Sequence, residues 1–462
     1  MSYSLRRKLY EGLPDFLKTP VRWIPFSVWA GSSYRDTMAN HALFEKADRG
    51  TIKAYQAREL QRLLEFAVEQ VPAYEHLKSA VGRLPPFEAL KGFPLIDKET
   101  LQYEMPRYLP RNFDRMAHYE CTTGGTTGNQ LKFYLDDRSQ SIETAFMHRQ
   151  WSRVGYTPKS RKATFRGVEF RNLKEGVYWQ ANPIYNELQF SPYHMNESTL
   201  ATYIEELFRY QPEYLHGYPS AITLLAEHVV RHNIDLRGLP LKAVLLGSEA
   251  LEPVQRDLIK RAFITRPYSW YGHSERVILG GECERTEAYH HFPDYGILEV
   301  MDDHGVATTE PNSKGELVGT GLLNRSLPLI RYRTGDRARL LECGCTCGRQ
   351  FDRFDQVEGR WKQEFIIGKS GSRISVAAMN IHGPFYDHVT RYQYHQKKPG
   401  EMELRLMISA DFSEQDMNAL KLAFAGRVGD ELNITVKIVD DIPLTSRGKL
   451  RRLIQEIQTS NE

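Results

Sequence analysis

In ARELQRLLEFAVEQVPAYEHL the apolar side chains recur at Leu60, Leu63, Leu64, Ala67 and Val68. Intervals of three and four residues put them on one face of a helix, and Pro72 brings that helix to a stop. Residues 5–75 read as helical. FPLIDKETL follows, with Asp97 positioned as an N-cap and Thr100 close behind it. LKFYL, residues 131–135, reads as a strand. From 140 to 275 helical patterns alternate with short strands, and LKAVLLGSEAL is an apolar run closing on Gly247, Ser248 and Glu249. Such alternation predicts a mostly parallel sheet that binds ligands at the C-terminal ends of its strands.

From 296 to 342 the pattern changes to short β segments: ILEVMDD, GELVGTGL, LIRYRTGD and ARLLE. Beyond Arg360, ELRLMISA reads as a strand, FSEQDMNALKLAFAGRVG as a helix and NITVKIVDDI as a strand. The predicted class is α/β. A large N-terminal domain spans 1–359, with a helical segment to about residue 115, mostly parallel sheets and a β-rich subdomain. A small α+β C-terminal domain spans 360–462.

Composition narrows the function classes. The chain has 462 residues, enough for two or three domains with substantial cores. A net charge of +3 does not suggest nucleic acid as a partner. No apolar run approaches the roughly 18–20 residues of a membrane span, and MSYSLRRKLYEGLPDFL has no apolar core to make it a secretory signal. The expectation is a cytoplasmic protein whose basic, aromatic N-terminus forms a plain surface helix, with contact to a membrane surface as the alternative.

The most unusual stretch is CTTGGTTGNQLKF. Thr122, Thr123, Gly124, Gly125, Thr126, Thr127 and Gly128 make a poor helix and a poor strand. They make a good cradle of hydroxyls and backbone N–H groups for phosphate. The order is strand, loop, strand, which is not that of a Walker A loop. Three further segments bear chemistry: Tyr271-Gly272-His273-Ser274-Glu275 after a strand start, Arg331-Tyr332-Arg333-Thr334-Gly335-Asp336, and Gly448-Lys449 after Pro443-Leu444-Thr445.

CTTGGTTGNQLKF, WYGHSE, IRYRTGD, VEGR and LTSRGKLR occur in an order that resembles the acyl-adenylate-forming enzymes, and within them the phenylacetate–CoA ligase and CapK-like branch. VPAYEHL and FPLIDKETL resemble that branch too. The resemblance covers about residues 55–455. It implies that a carboxylate attacks the α-phosphorus of ATP and that pyrophosphate leaves. The Thr122–Gly128 loop would hold the β and γ phosphates, and Glu275 would hold Mg²⁺, a hard ion that takes carboxylate oxygen. Asp336 would accept from the ribose hydroxyls, and Arg360 would contact ribose or phosphate. Ser248 and Glu249 would line the adenine or acyl site, unless they are an N-cap serine and a helix-start glutamate. Tyr218 and Pro219 would border the acyl pocket or pack in the core. Lys449 would bridge the phosphates and the substrate carboxylate, then swing away as a mobile C-terminal domain rotates. The pivot should lie at 360–365. Gln363 stands where the family has an acidic residue, with Glu364 one position off, and Gln130 stands where the family has proline.

The five cysteines are Cys121, Cys283, Cys343, Cys345 and Cys347. Three within five residues make a poor disulfide framework and a good metal clip. Cys283, His290, Cys345 and Cys347 supply three sulfurs and one nitrogen, the donor set of a closed, structural zinc site. His291 and Cys343 compete for places in it, and Cys121 reads as a small buried residue.

The expected activity is therefore adenylation of a small-molecule carboxylic acid, then acyl transfer to a thiol such as coenzyme A or to an amine, in surface polysaccharide biosynthesis by the CapK-like resemblance. The expected cofactors are ATP, Mg²⁺, structural Zn²⁺ and, for the thiol route, coenzyme A. A nucleotidyltransferase of the same fold, leaving AMP on a phosphate or hydroxyl, is the alternative.

Overall fold

The structure is a computed structural model. It describes residues 3–21, 23–122, 131–167, 170, 176–358, 364–376, 378–379, 381, 383–386, 388–443 and 451–457. The chain forms two compact units. One comprises 1–121, 131–158 and 268–360, and the other includes 159–267 and 361–462.

In the first unit, the helix Arg49–Gln70 starts where the Asp48 carboxylate accepts from the Thr51 backbone N–H at 2.8 Å. It ends at Val71, before Pro72. Leu60, Leu63, Leu64, Ala67 and Val68 are all buried on its inner face. The Asp97 carboxylate caps the helix Lys98–Tyr108, accepting from the Thr100 N–H at 2.8 Å. Strand Lys132–Asp136 occupies the position expected for LKFYL and pairs with His118–Thr122.

The β-rich part is antiparallel. Gly296–Met301 pairs with Lys314–Gly321, which pairs with Tyr332–Leu341, which pairs with Arg353–Glu358. A meander of Pro267–Gly272, Leu279–Glu282 and Tyr289–His291 joins the Arg353–Glu358 strand through Tyr289–His291. One expectation is corrected here. LIRYRTGD and ARLLE do not form two strands: Tyr332–Asp336 and Ala338–Leu341 belong to a single strand, Tyr332–Leu341. Its register against Lys314–Gly321 jumps from Val318↔Arg333 to Glu316↔Arg337. Thr334, Gly335 and Asp336 therefore bulge opposite Leu317, and Gly335 adopts φ +73°, a conformation open to glycine. Thr334, Gly335 and Asp336 do not separate the two segments but make a bulge within one strand.

In the second unit, Glu187–Phe190, Lys162–Phe165, Tyr214–Gly217 and Ala243–Leu246 are parallel neighbours in that order. Trp179–Asn182 adds an antiparallel edge. The Ala243–Leu246 strand is buried along its length, as a strand covered on both faces requires. The C-terminal part is a sheet in the order Asn433–Ile438, Glu401–Ile408, Val389–Lys398, Leu453–Gln455. The helix Glu414–Val428 accompanies it, capped by Ser413. Strand Val389–Lys398 carries no clear alternation because Gln393, His395 and Gln396 are buried polar residues. Gln396 earns its place by bonding both backbone groups of Ile367, donating to the carbonyl at 2.7 Å and accepting from the N–H at 2.8 Å.

The most deeply buried ion pair of the first unit, among the described residues, joins Arg149, wholly buried, to Asp294, with Nη1 2.5 Å from Oδ2. The guanidinium also lies over the rings of Phe146 and Phe292. Removing one partner leaves a charge stranded in the core. Asp294→Ala should therefore lower unfolding stability by about 3–5 kcal/mol, read as a drop in denaturation midpoint. A loss below about 1 kcal/mol, the value of an exposed pair, would show that the site admits water.

Candidate active site and metal centre

The segment Tyr271-Gly272-His273-Ser274-Glu275 leaves the strand Pro267–Gly272 and turns back, with Arg276 at φ +57° closing the turn. Gly272 and Ser274 are exposed at its crest, while Glu275 is buried. The Tyr332 hydroxyl donates to Glu275 Oε1 at 2.7 Å. His273 Nδ1 stands 3.4 Å from Oε2, at ion-pair distance, without the geometry of a hydrogen bond. Burial opposes ionisation of Glu275, but His273 and the Tyr332 hydroxyl hold its pKa down at about 2. The result is a buried, ionised carboxylate, a suitable ligand for a hard divalent ion.

The Thr334–Asp336 bulge faces the same strand. Thr334 Oγ1 donates to the Leu317 carbonyl at 2.8 Å and accepts from the Asp336 N–H at 3.1 Å. Asp336 Oδ2 accepts from the Tyr271 hydroxyl at 2.9 Å. Tyr271, Glu275 and Asp336 are thus linked within one unit through Tyr271–Asp336 and through Tyr332, next door in the IRYRTGD motif. Tyr332 was legible as part of that motif but had no expected role of its own. The two arginines of the motif are structural. Arg331, at φ +53°, pairs with Glu299 at 3.2 Å through both Nε and Nη2 and donates to the carbonyls of Lys91 and Phe93. Arg333 pairs with Glu316.

In the second unit, Ser248 follows the strand Ala243–Leu246 at φ +70°, an uncommon conformation for serine. Its hydroxyl accepts from Arg166 Nη2 at 2.7 Å. The half-buried Glu249 accepts from the Ser220 N–H at 2.9 Å, the Ser220 hydroxyl at 3.0 Å and the Ser375 hydroxyl at 2.6 Å. Burial nonetheless raises its pKa. The helix cap that follows is Glu252, with Gln255 completing a capping box, so Ser248 is not an N-cap. Ser220 and Ser375 were missed. Nothing local in the sequence marks either as a partner of a glutamate 29 or 126 residues away. Tyr218 is buried in the core under the Arg166 guanidinium, and Pro219 opens the helix Pro219–Arg231. Thr122 ends the strand His118–Thr122. Thr123, Gly124, Gly125, Thr126, Thr127, Gly128, Arg360 and Lys449 lie outside the described residues, as does Gln363.

The structure brings Cys283, His290, Cys345 and Cys347 together, with one donor atom of each within 4.8 Å of the others. Cys283 Sγ lies 3.8 Å from Cys345 Sγ, and Cys347 Sγ lies 4.0 Å from His290 Nε2. Zinc–sulfur bonds of about 2.3 Å at tetrahedral angles put sulfurs about 3.8 Å apart, so the donor set fits that ion. Strand alternation separates the two histidines. His291 points the other way and binds the carbonyls of Leu279 at 3.1 Å and Gly296 at 2.9 Å. Cys343 is exposed and lies against the carbonyls of Gln350 and Phe351. Burial, then Arg153, Arg349 and Arg353, push His290 down to about 2, leaving a neutral imidazole with a lone pair to offer. Cys121 is half-buried, and burial pushes its thiol up to about 11, which makes a poor nucleophile.

Residues 366–456 match the CapK C-terminal domain family. The chain is 25% identical to the Staphylococcus aureus protein CapK over 374 residues, 80% of this chain and 81% of that one. It is 26% identical to the phenylacetate–coenzyme A ligase of Thermus thermophilus over 449 residues, 89% of this chain and 98% of that one. A phenylacetate–coenzyme A ligase of Escherichia coli is 24% identical over 88% of this chain and 94% of its own. Among solved structures, a 2-hydroxyisobutyryl-CoA ligase with its acyl-adenylate matches with a TM-score of 0.55 and 19% identity, covering 89% of this chain and 90% of that one. At that identity the likeness is one of fold. The resemblance read from the motifs is thus met by relatives bearing those two names.

Glu275 has a pH signature. Its folded pKa lies below the ordinary value of 4.5, so its ionised form stabilises the fold above about 4.5, and that contribution is lost as pH falls toward about 2. Glu275→Gln should therefore lower the melting temperature at neutral pH, and the gap from the native protein should narrow as pH falls through that window. A gap independent of pH would mean that Tyr332 and His273 do not hold a charged carboxylate.

Proposed function

We propose that the protein is an ATP-dependent ligase that adenylates a carboxylic acid and passes the acyl group to coenzyme A. The observation that carries this is the held carboxylate of Glu275, beside the Tyr271–Asp336 pair, in a chain related along most of its length to phenylacetate–coenzyme A ligases. A substrate carboxylate oxygen attacks the α-phosphorus of ATP. The bond to the bridging oxygen of the β-phosphate breaks, and pyrophosphate leaves. The thiolate then attacks the acyl carbon and expels AMP.

Each residue has a task in that sequence. Glu275 would hold Mg²⁺, which offsets the phosphate charge when bound. Asp336, oriented by Tyr271 and by the bulge around Gly335, would accept from the ribose hydroxyls. The Thr122–Gly128 loop would receive the β and γ phosphates, with Arg360 at ribose or phosphate and Lys449 as the mobile cation of a C-terminal domain spanning 360–462. Ser248 and Glu249 would line the adenine or acyl site. The positive φ of Ser248 turns the chain sharply at a strand end, where parallel sheets bind ligands. The CapK-like resemblance favours an acid drawn from surface polysaccharide synthesis, in the cytoplasm where ATP and coenzyme A are available. The Cys283–His290–Cys345–Cys347 set would hold zinc as a closed, structural site with no open position for substrate.

Pyrophosphate release from ATP and Mg²⁺, measured across aryl, fatty and amino acids with and without coenzyme A, tests the reading. Release with one acid, AMP as the co-product and a thioester when coenzyme A is present are expected. Lys449→Ala should reduce release by at least about a hundredfold while the protein stays folded. AMP attached to a phosphate or hydroxyl acceptor would instead make the chain a nucleotidyltransferase. For the metal, protein purified without chelator should carry about one zinc per chain, and Cys345→Ser should lose it. A folded native protein without zinc would remove the structural site.

A further inference from the structure

A second donor cluster lies in the other compact unit, far along the chain from the cysteines. The helix Pro219–Arg231 carries His228 in its last turn, and His232 follows as its C-cap. Four residues apart, the two imidazoles share one face, with ring centroids 4.4 Å apart. Glu197 reaches them from the turn that precedes the helix Leu200–Tyr210. Its Oε1 lies 2.6 Å from His232 Nε2 and 3.6 Å from His228 Nδ1, while Arg231 Nη1 holds Oε2 at 3.0 Å. One donor atom of each of Glu197, His228 and His232 lies within 4.8 Å of the others.

Two features separate this from an ordinary surface ion cluster. His228 is only 5% exposed, yet its Nδ1 has no hydrogen-bond partner among the described residues. A buried ring nitrogen aimed at a carboxylate, and too far from it to bond, is costly unless something stands between them. The turn that presents Glu197 is also built rather than loose. Asn196 Oδ1 accepts from the Ser198 N–H at 3.0 Å and the Thr199 N–H at 3.2 Å, and its Nδ2 donates to Ser370 Oγ at 2.7 Å.

We propose that Glu197, His228 and His232 form a second metal site, specific for a zinc-class divalent cation. Two imidazoles and one carboxylate are the donors such ions take. Metal–ligand bonds of about 2.1 Å at tetrahedral angles set donors about 3.4 Å apart. The separation of His228 from Glu197 already suits that, and Glu197, 56% exposed, has room to widen its contact with His232. Arg231 keeps the second carboxylate oxygen and so orients the ligand. Three protein ligands leave a fourth position open to water or a small anion. The ion would clip the 194–199 turn to the C-terminal end of the helix Pro219–Arg231.

The test is titration of the full-length protein, with its cysteine site already loaded, with zinc chloride in a non-coordinating buffer, followed by calorimetry. One further zinc is expected to bind. His232→Ala and Glu197→Gln, both at exposed positions that should not disturb folding, should each weaken that binding by at least about tenfold and leave the first zinc in place. Cys345→Ser should lose the first zinc and keep the second. No further zinc on the native chain, or unchanged affinity in His232→Ala, would overturn the proposal.

Discussion

Three buried arginines set the terms for the first unit. Arg149, Arg153 and Arg349 are almost without solvent, and a guanidinium in a core must be paired or the fold does not form. Asp294 takes Arg149. Glu45 takes Arg153 at 3.1 Å and also Arg349. Glu284 takes Arg349 at 2.7 and 2.9 Å. Burial alone would raise the pKa of Glu45, but Arg153 and Arg349 hold it below the ordinary carboxylate value. These pairs tie the helices Ser32–Glu45 and Ser139–Ser152 to the segments carrying Cys283 and Cys347. Because Glu284 adjoins Cys283 and Arg349 follows Cys347 by two residues, one ion pair joins both halves of the cysteine cluster. The cluster is thus positioned by charge as well as by any ion it holds.

The candidate nucleotide-binding groups depend on departures from regular structure. Asp336 projects because the Tyr332–Leu341 strand bulges at Thr334–Asp336. Glu275 is held where the chain turns through Arg276 at φ +57°, and Glu249 follows Ser248 at φ +70°. Strain of this kind persists where the surroundings over-determine it, and the surroundings here are specific. They comprise the Leu317 carbonyl for Thr334, the Tyr332 hydroxyl for Glu275, and the serines 220 and 375 for Glu249. Regular strands supply a rigid frame, and the bulges and turns aim the polar groups.

Much of this was legible in the sequence wherever the determining forces are local. The 3.6-residue apolar period gave the helix Arg49–Gln70, and side-chain capping gave its neighbour at Asp97. An unbroken apolar run gave the strand Ala243–Leu246. Val389–Lys398 was not legible, because its buried polar residues are satisfied by partners elsewhere, such as Ile367 for Gln396. The single strand through LIRYRTGD and ARLLE was not legible either, because the glycine between them permits a turn and a bulge equally well.

By itself the sequence determined the α/β class, the elements with a local signature, motifs that resemble those of acyl-adenylate-forming enzymes, and the set of cysteines and histidines from which a metal site could be drawn. These follow from short-range periodicity, capping and side-chain chemistry. Only the tertiary structure decided which members of each set meet. It chose His290 over His291 because adjacent strand residues face opposite ways. It chose Cys345 and Cys347 over Cys343 because the loop turns the latter outward. It gave Glu275 its Tyr332 and Glu249 its serines through contacts between residues 29 to 126 positions apart. Such pairings are set by strand register and core packing, which no local window of sequence contains.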